Sequence, residues 1–151
     1  MRARVLLVVA ASVLFLLACS GSPSVEQTVA VPPPPGKGRL YIYRDASTYG
    51  SQVWTAVSLN HMKIGDAAPG TVFYRDVAPL DYEIGVQSDR LFPNEFKAVR
   101  VAPGSITFVK VQFQPLWDKN GLGKAAETFV IAIVDPDTAR AQMSSLRLVP
   151  G

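Results

Sequence analysis

Short runs of β-branched, aromatic and aliphatic residues, separated by turn residues, occupy most of the chain from Gly38 onward. Such runs are typical of β-strands, whose side chains alternate between two faces of a sheet. The pattern predicts strands at 40–43, 53–59, 62–65, 71–77, 82–87, 96–101, 106–113 and 128–134. Many short strands at regular spacing predict an all-β fold, an antiparallel β-sandwich of about 7–8 strands, over residues 38–151.

Turn and helix signals complete this domain. Asn60-His61 predicts a two-residue hairpin turn, and Pro103-Gly104 predicts a type II turn that would join strands 96–101 and 106–113 as a hairpin. Because residues 128–134 are apolar at both parities, we expect that strand to be covered on both faces. The cover is predicted to be a C-terminal helix over residues 136–147, with Asp135 as its N-cap.

The N-terminal residues have the three parts of a secretory signal. Arg2 and Arg4 precede an apolar run, and Leu16-Leu17-Ala18-Cys19 ends it. The run is shorter than the roughly 20 residues that span a bilayer. The four-residue stretch resembles the lipobox of bacterial lipoproteins, which implies that residues 1–18 are cleaved and that Cys19 becomes a diacylglycerol-bearing first residue. Two acyl chains anchor a protein durably.

Residues 19–37 are rich in Ser, Pro and Gly and end in four successive prolines, 32–35. Prolines fix φ and favour an extended polyproline II segment, so we predict a flexible tether between the lipidated Cys19 and the sandwich. A proline-rich recognition ligand is the alternative. Ser20 follows the cysteine. By resemblance to the sorting rule of enterobacterial lipoproteins, the absence of Asp there implies the outer membrane, facing the periplasm.

Composition excludes several classes of function. The formal net charge of +3 falls to +1 once Arg2 and Arg4 leave with the signal, and no basic run remains, so a nucleic-acid partner is not expected. The one cysteine, if lipidated, leaves no thiol for a disulfide. The one histidine, His61, excludes a Ser-His-Asp triad made elsewhere and a metal site with two histidines. We therefore predict no catalytic residues, no metal and no cofactor.

The order of the motifs resembles a family of small bacterial proteins built on one domain of unknown function. The matching segments are Gly38-Arg-Leu-Tyr-Ile-Tyr-Arg44, the hairpin around 57–65, and residues 102–111. Asn60-His61 replaces the family's usual Asp-Gly, and Phe108 replaces a late Tyr. The resemblance spans roughly residues 38–134. It implies a transthyretin-like or carboxypeptidase-regulatory-like β-sandwich and carries no established activity.

Aromatic residues are the candidate contacts with a partner or ligand. Trp117 falls in a predicted loop over 114–126, and Tyr49 falls in the loop before the second strand. Tyr41, Tyr43, Tyr74 and Trp54 could line an aromatic groove, although packing within the sheets is the simpler interpretation. We take Trp117, Tyr49 and Trp54 as possible contact residues.

Two functions fit this sequence. The first is a membrane-anchored, non-enzymatic binding or structural module that contacts an envelope protein or wall component, through a sheet edge or through loops near Tyr49 and Trp117. The second is a lipoprotein that binds a small molecule or glycan on an aromatic-lined face.

Overall fold

The computed structural model describes residues 23–46, 52–88, 94–117 and 124–151. Within these residues there are two helices and nine strands, packed as two sheets. The elements are α1 (Val25–Ala30), β1 (Gly38–Arg44), β2 (Thr55–Leu59), β3 (Met62–Ala67), β4 (Thr71–Val77), β5 (Asp81–Val86), β6 (Glu95–Arg100), β7 (Ile106–Trp117), β8 (Lys124–Val134), α2 (Pro136–Met143) and β9 (Arg147–Leu148). The predicted β-sandwich with a C-terminal helix is confirmed.

The first sheet has the order β8-β7-β1-β4-β9, and the second has the order β3-β2-β5-β6. Most neighbouring strands are antiparallel. The exceptions are β1 with β7 and β4 with β9, which pair in parallel. Strand β1 therefore lies at the centre of the first sheet, with β4 antiparallel on one side and β7 parallel on the other.

Apolar side chains between the two sheets form the main core. Because side chains alternate along a strand, Leu40 and Ile42 of β1 point into this core, where they are joined by Phe73 of β4 and Phe129 of β8. The second sheet supplies Val57 and other aliphatic side chains, among them Leu59, Ile84, Val86 and Val99. This core is the inner layer of the sandwich.

A second core covers the outer face of the first sheet. Tyr41, Tyr43 and Phe108 lie there beneath Val25 of α1 and Met143 of α2. Every residue of β1 is consequently buried. We predicted such double cover for residues 128–134. The cover of this part of β8 is only partial, because Val134 packs in the second core while Ile133 is 42% exposed.

The turn residues behave as predicted, but one connection differs. Asn60 and His61 both have positive φ, 48° and 64°, as a two-residue turn between β2 and β3 requires. Gly104 has φ 73°, and Ser105 donates its N–H to the Ala102 carbonyl across the Pro103-Gly104 turn. The hairpin predicted at this second turn is wrong, because β6 and β7 belong to different sheets. The turn carries the chain from one sheet to the other.

Helix α2 begins as predicted and ends earlier. The Asp135 carboxylate accepts a hydrogen bond from the Thr138 N–H at 3.0 Å, and this bond lowers the pKa of Asp135. The helix stops at Met143, where 147 was expected. Beyond it, Arg147 donates its N–H to the Gly70 carbonyl and Val149 donates to Val72, so the chain end adds β9 to the first sheet.

Within the predicted tether over residues 19–37, residues 25–30 form the short helix α1 and not a flexible spacer. Ser24 caps α1 by accepting from the Gln27 N–H, and the Gln27 side chain accepts from the Ser24 N–H in return. Val25 and Thr28 are buried against the sandwich. Burial of one helix face supplies the tertiary stabilisation that a six-residue helix lacks alone.

Candidate functional surfaces

The predicted contact residues do not form one described site. Trp54 lies just before β2 and is 66% exposed, so it is available to a partner. Trp117 is the last residue of β7, where its backbone pairs with Lys124, and the loop predicted over 114–126 is therefore wrong at both ends. Tyr49 and Cys19 lie outside the described residues.

Two of the tyrosines proposed for an aromatic groove, Tyr41 and Tyr43, are packing residues. Tyr41 and Tyr43 are fully buried in the second core. The Tyr41 ring lies 5.4 Å from the Tyr74 ring and 5.5 Å from the Phe108 ring, centroid to centroid. The Tyr43 hydroxyl donates to the Gln142 side chain at 2.7 Å, and burial, with the charges of Asp45 and Asp135, raises the pKa of Tyr43 to about 12.

Arg39 fastens the N-terminal segment to the sandwich. Its guanidinium makes a two-point ion pair with Asp76, at 2.6 and 2.9 Å. A further nitrogen donates to the carbonyls of Thr28 and Val31, both at 3.0 Å, and the group lies 4.4 Å from the centroid of the Tyr74 ring. The hydrogen bonds that Arg39 donates to the Asp76 carboxylate raise the pKa of Arg39, although its burial lowers it. One side chain thus ties the end of α1 to β1 and β4.

Arg44 is a second buried arginine, and sequence reasoning expected only an ordinary strand-end role. Its guanidinium donates to the Val53 carbonyl at 2.5 Å and lies 5.0 Å from the centroid of the Phe129 ring. Burial lowers its pKa. The position of Arg44 on the inner face could have been predicted from the sequence, because side chains alternate along a strand and Arg44 therefore shares a face with Leu40 and Ile42. The neighbouring Asp45 pairs instead with Lys110 at 2.5 Å.

Side chains of the second sheet, together with Ser88 just after β5, cover the free edge of β8. The Ile131 N–H donates to the Glu95 carboxylate at 3.1 Å, and the Ile131 carbonyl accepts from the Lys97 ammonium at 3.2 Å. The Phe129 N–H donates to the Ser88 hydroxyl at 3.3 Å. These bonds occupy main-chain groups that an added strand would need. At this edge the geometry disfavours partner binding by strand addition.

The opposite seam between the sheets is joined by Arg75 of β4. Its guanidinium donates to the Ile64 carbonyl of β3 at 2.7 Å. Gly65 beside it allows the Phe73 ring to approach, since a Cβ at Gly65 would lie 2.7 Å from that ring. At both edges of the sandwich, a side chain of one sheet therefore donates a hydrogen bond to a main-chain carbonyl of the other sheet.

The outer face of the second sheet carries a shallow depression of about 210 Å³. Its floor is made by small residues, Ala56, Ser58 and Gly85, and Phe96 and His61 stand at its rim. The two rim rings contact edge to face at 5.5 Å. His61 also lies 3.4 Å from the Glu83 carboxylate, and both side chains are exposed. Sequence reasoning identified His61 only as a turn residue and did not find this depression.

In the parts of the chain that the structure describes, no group of three or more His, Cys, Asp or Glu side chains is placed to hold a metal ion. Among those same residues, no helix has the length and apolar character needed to cross a membrane.

Neither a family model nor a curated protein sequence matches the chain. The resemblance to the domain-of-unknown-function family therefore stays a prediction.

Proposed function

We propose that this chain is the precursor of a lipid-anchored protein of the bacterial cell envelope. Residues 1–18 are the cleaved leader, Cys19 carries the diacylglycerol, and the β-sandwich is a non-enzymatic binding or structural module facing the periplasm from the outer membrane. The observation that carries this proposal is Leu16-Leu17-Ala18-Cys19, which places the only cysteine at the end of the apolar run.

The position of the domain is consistent with cleavage before Cys19. The described fold begins at Pro23, and Ser24 already caps α1. Removal of residues 1–18 would therefore leave intact every contact described above, including the ties from Arg39 to Thr28 and Val31. The partner would be an envelope protein or wall component, and exposed Trp54 is the described aromatic residue best placed to meet it.

Binding of a small molecule or glycan is the second candidate, and it rests on one observation. The depression above Gly85 combines an aromatic rim, Phe96 and His61, with a floor of small residues. Tyr41 and Tyr43 do not contribute to it, because they are buried in the second core. This candidate therefore depends on a different face of the sandwich from the one first suggested by the tyrosines.

Replacing Cys19 with alanine should abolish anchoring, because the thiol that receives the diacylglycerol is removed. We expect the protein to move almost completely from the processed membrane-bound form to a soluble or uncleaved form. Cell fractionation with immunodetection measures the shift. Ser20→Ala is the matched control and should remain processed and membrane-bound. An unchanged membrane fraction and an unchanged processed mass for Cys19→Ala would refute the proposal.

A further inference from the structure

The covalent reach from Cys19 to the folded domain is short. Three residues, Ser20, Gly21 and Ser22, separate Cys19 from Pro23. A chain extends at most 3.3–3.6 Å per residue, so the two Cα atoms lie within about 14 Å of each other on any path. A diacylated Cys19 has its backbone at the level of the lipid headgroups. Pro23 therefore lies within about 14 Å of that level.

Pro23 is not the start of a further spacer, because the segment after it is fixed to the sandwich. Ser24 caps α1, and Val25 and Thr28 are buried. Arg39 donates hydrogen bonds to the carbonyls of Thr28 and Val31. The domain as a whole is thus brought to the bilayer and does not stand tens of ångströms away from it.

The surface around Pro23 has the chemistry of a bilayer interface. Pro23 borders a shallow depression of about 370 Å³ whose other walls are Tyr74, Arg75 and residues 148–151, and we call this surface the Pro23 face. Leu148, Val149 and Pro150 are aliphatic, Tyr74 is amphipathic, and Arg75 is cationic. Tyrosine and arginine side chains with apolar stems are favoured at the headgroup level. In the described part of the chain, no acidic side chain lines this depression.

From this geometry we propose that the Pro23 face lies against the lipid surface and sets the orientation of the domain. The proposal rests on the lipidation of Cys19 proposed above. It makes the bilayer itself the partner of Tyr74, Arg75 and the C-terminal strand. The outer face of the second sheet, with its depression at Gly85, is then turned away from the lipid and faces the periplasm.

The test is a fluorophore attached at Pro150, an exposed residue of the Pro23 face. Lipidated Pro150→Cys protein is labelled with a thiol-reactive fluorophore and reconstituted into phospholipid vesicles containing nitroxide-headgroup lipid. We expect the lipid to quench most of its fluorescence. The matched control is Ala98→Cys on β6, also exposed. Ala98 lies three strands, or about 14 Å, across the second sheet from β3, the strand that Arg75 contacts. We expect the control to keep most of its fluorescence.

Two further samples separate this proposal from the one on which it rests. Wild-type protein should take up no label, because its only cysteine is blocked by lipid. Labelling of wild type, or loss of vesicle flotation, would overturn both proposals. A Gly-Ser insertion of about twelve residues before Pro23, with a reach of about 20 Å, should relieve the quenching at Pro150 without loss of flotation. Equal quenching at Pro150 and Ala98 in floating vesicles would overturn only the orientation.

Discussion

Replacement of Arg39 with alanine is expected to destabilise the domain by about 3–5 kcal/mol, because it leaves partners of a buried charge unsatisfied. Asp76 would lose a two-point ion pair, and the carbonyls of Thr28 and Val31 would lose their donor. Thr28 is only 7% exposed and the Asp76 side chain only 21%, so water cannot fully replace these bonds. Urea unfolding followed by circular dichroism measures the loss.

The same variant should release the N-terminal segment. Without Arg39, α1 keeps its own cap but loses its fastening to β1, so trypsin should cleave faster after Lys37. Arg100→Ala is a matched control, because Arg100 makes the same two-point pair with Asp81, at 2.8 and 3.0 Å, on an exposed surface. It should leave the unfolding midpoint nearly unchanged. A loss below about 1 kcal/mol in Arg39→Ala would contradict the assigned role.

Replacement of Phe73 with alanine should destabilise the domain by about 3–5 kcal/mol, through lost burial and a cavity in the main core. Phe73 of β4 is 1% exposed, and its ring lies against Gly65 of β3. Relaxation into the cavity is limited because the opposite sheet is joined to β4 through Arg75 and Ile64. Thermal and urea unfolding measure the change.

The control for Phe73→Ala is Leu80→Ala, in the connection between β4 and β5. Leu80 is also apolar but is 58% exposed, so its truncation should change stability by no more than about 0.5 kcal/mol. Similar losses in the two variants would mean that the core between the sheets is not where the structure places it.

Local features of the fold could be predicted because they are written in nearby residues. The strands of the sandwich follow alternating apolar runs, and the Asp135 cap and both turns follow from single residue types. The sheet in which each strand lies depends on distant pairing. The sequence around Pro103-Gly104 therefore predicted a turn but could not show that β6 and β7 part into different sheets.

Other misses have identifiable physical causes. The short helix α1 was not predicted, because the four prolines after it favoured an extended segment. Ser24 and Gln27 nevertheless form a capping box, which is recognisable in the sequence. The loop predicted over 114–126 is partly strand: β7 pairs with β1 only as far as Lys110, and beyond it one side of β7 is free, where Pro115 without an N–H is tolerated. Strand β9 follows from its contact with β4, which no local pattern reveals.

Less of the candidate surfaces could be predicted than of the fold. Cys19 and Trp54 stand out in the sequence, but the depression at Gly85 and the Pro23 face are assembled from residues far apart in the chain. Arg39 and Asp76 are separated by 37 residues, and their pairing depends on the register of β1 with β4. Such surfaces require the three-dimensional arrangement.

The intact mass of the protein purified from membranes tests the lipid anchor most directly. We predict a chain that begins at Cys19 and carries added diacylglycerol, with the modification confined to the N-terminal peptide. A chain of unmodified mass that begins at another residue, or retains residues 1–18, would contradict the account.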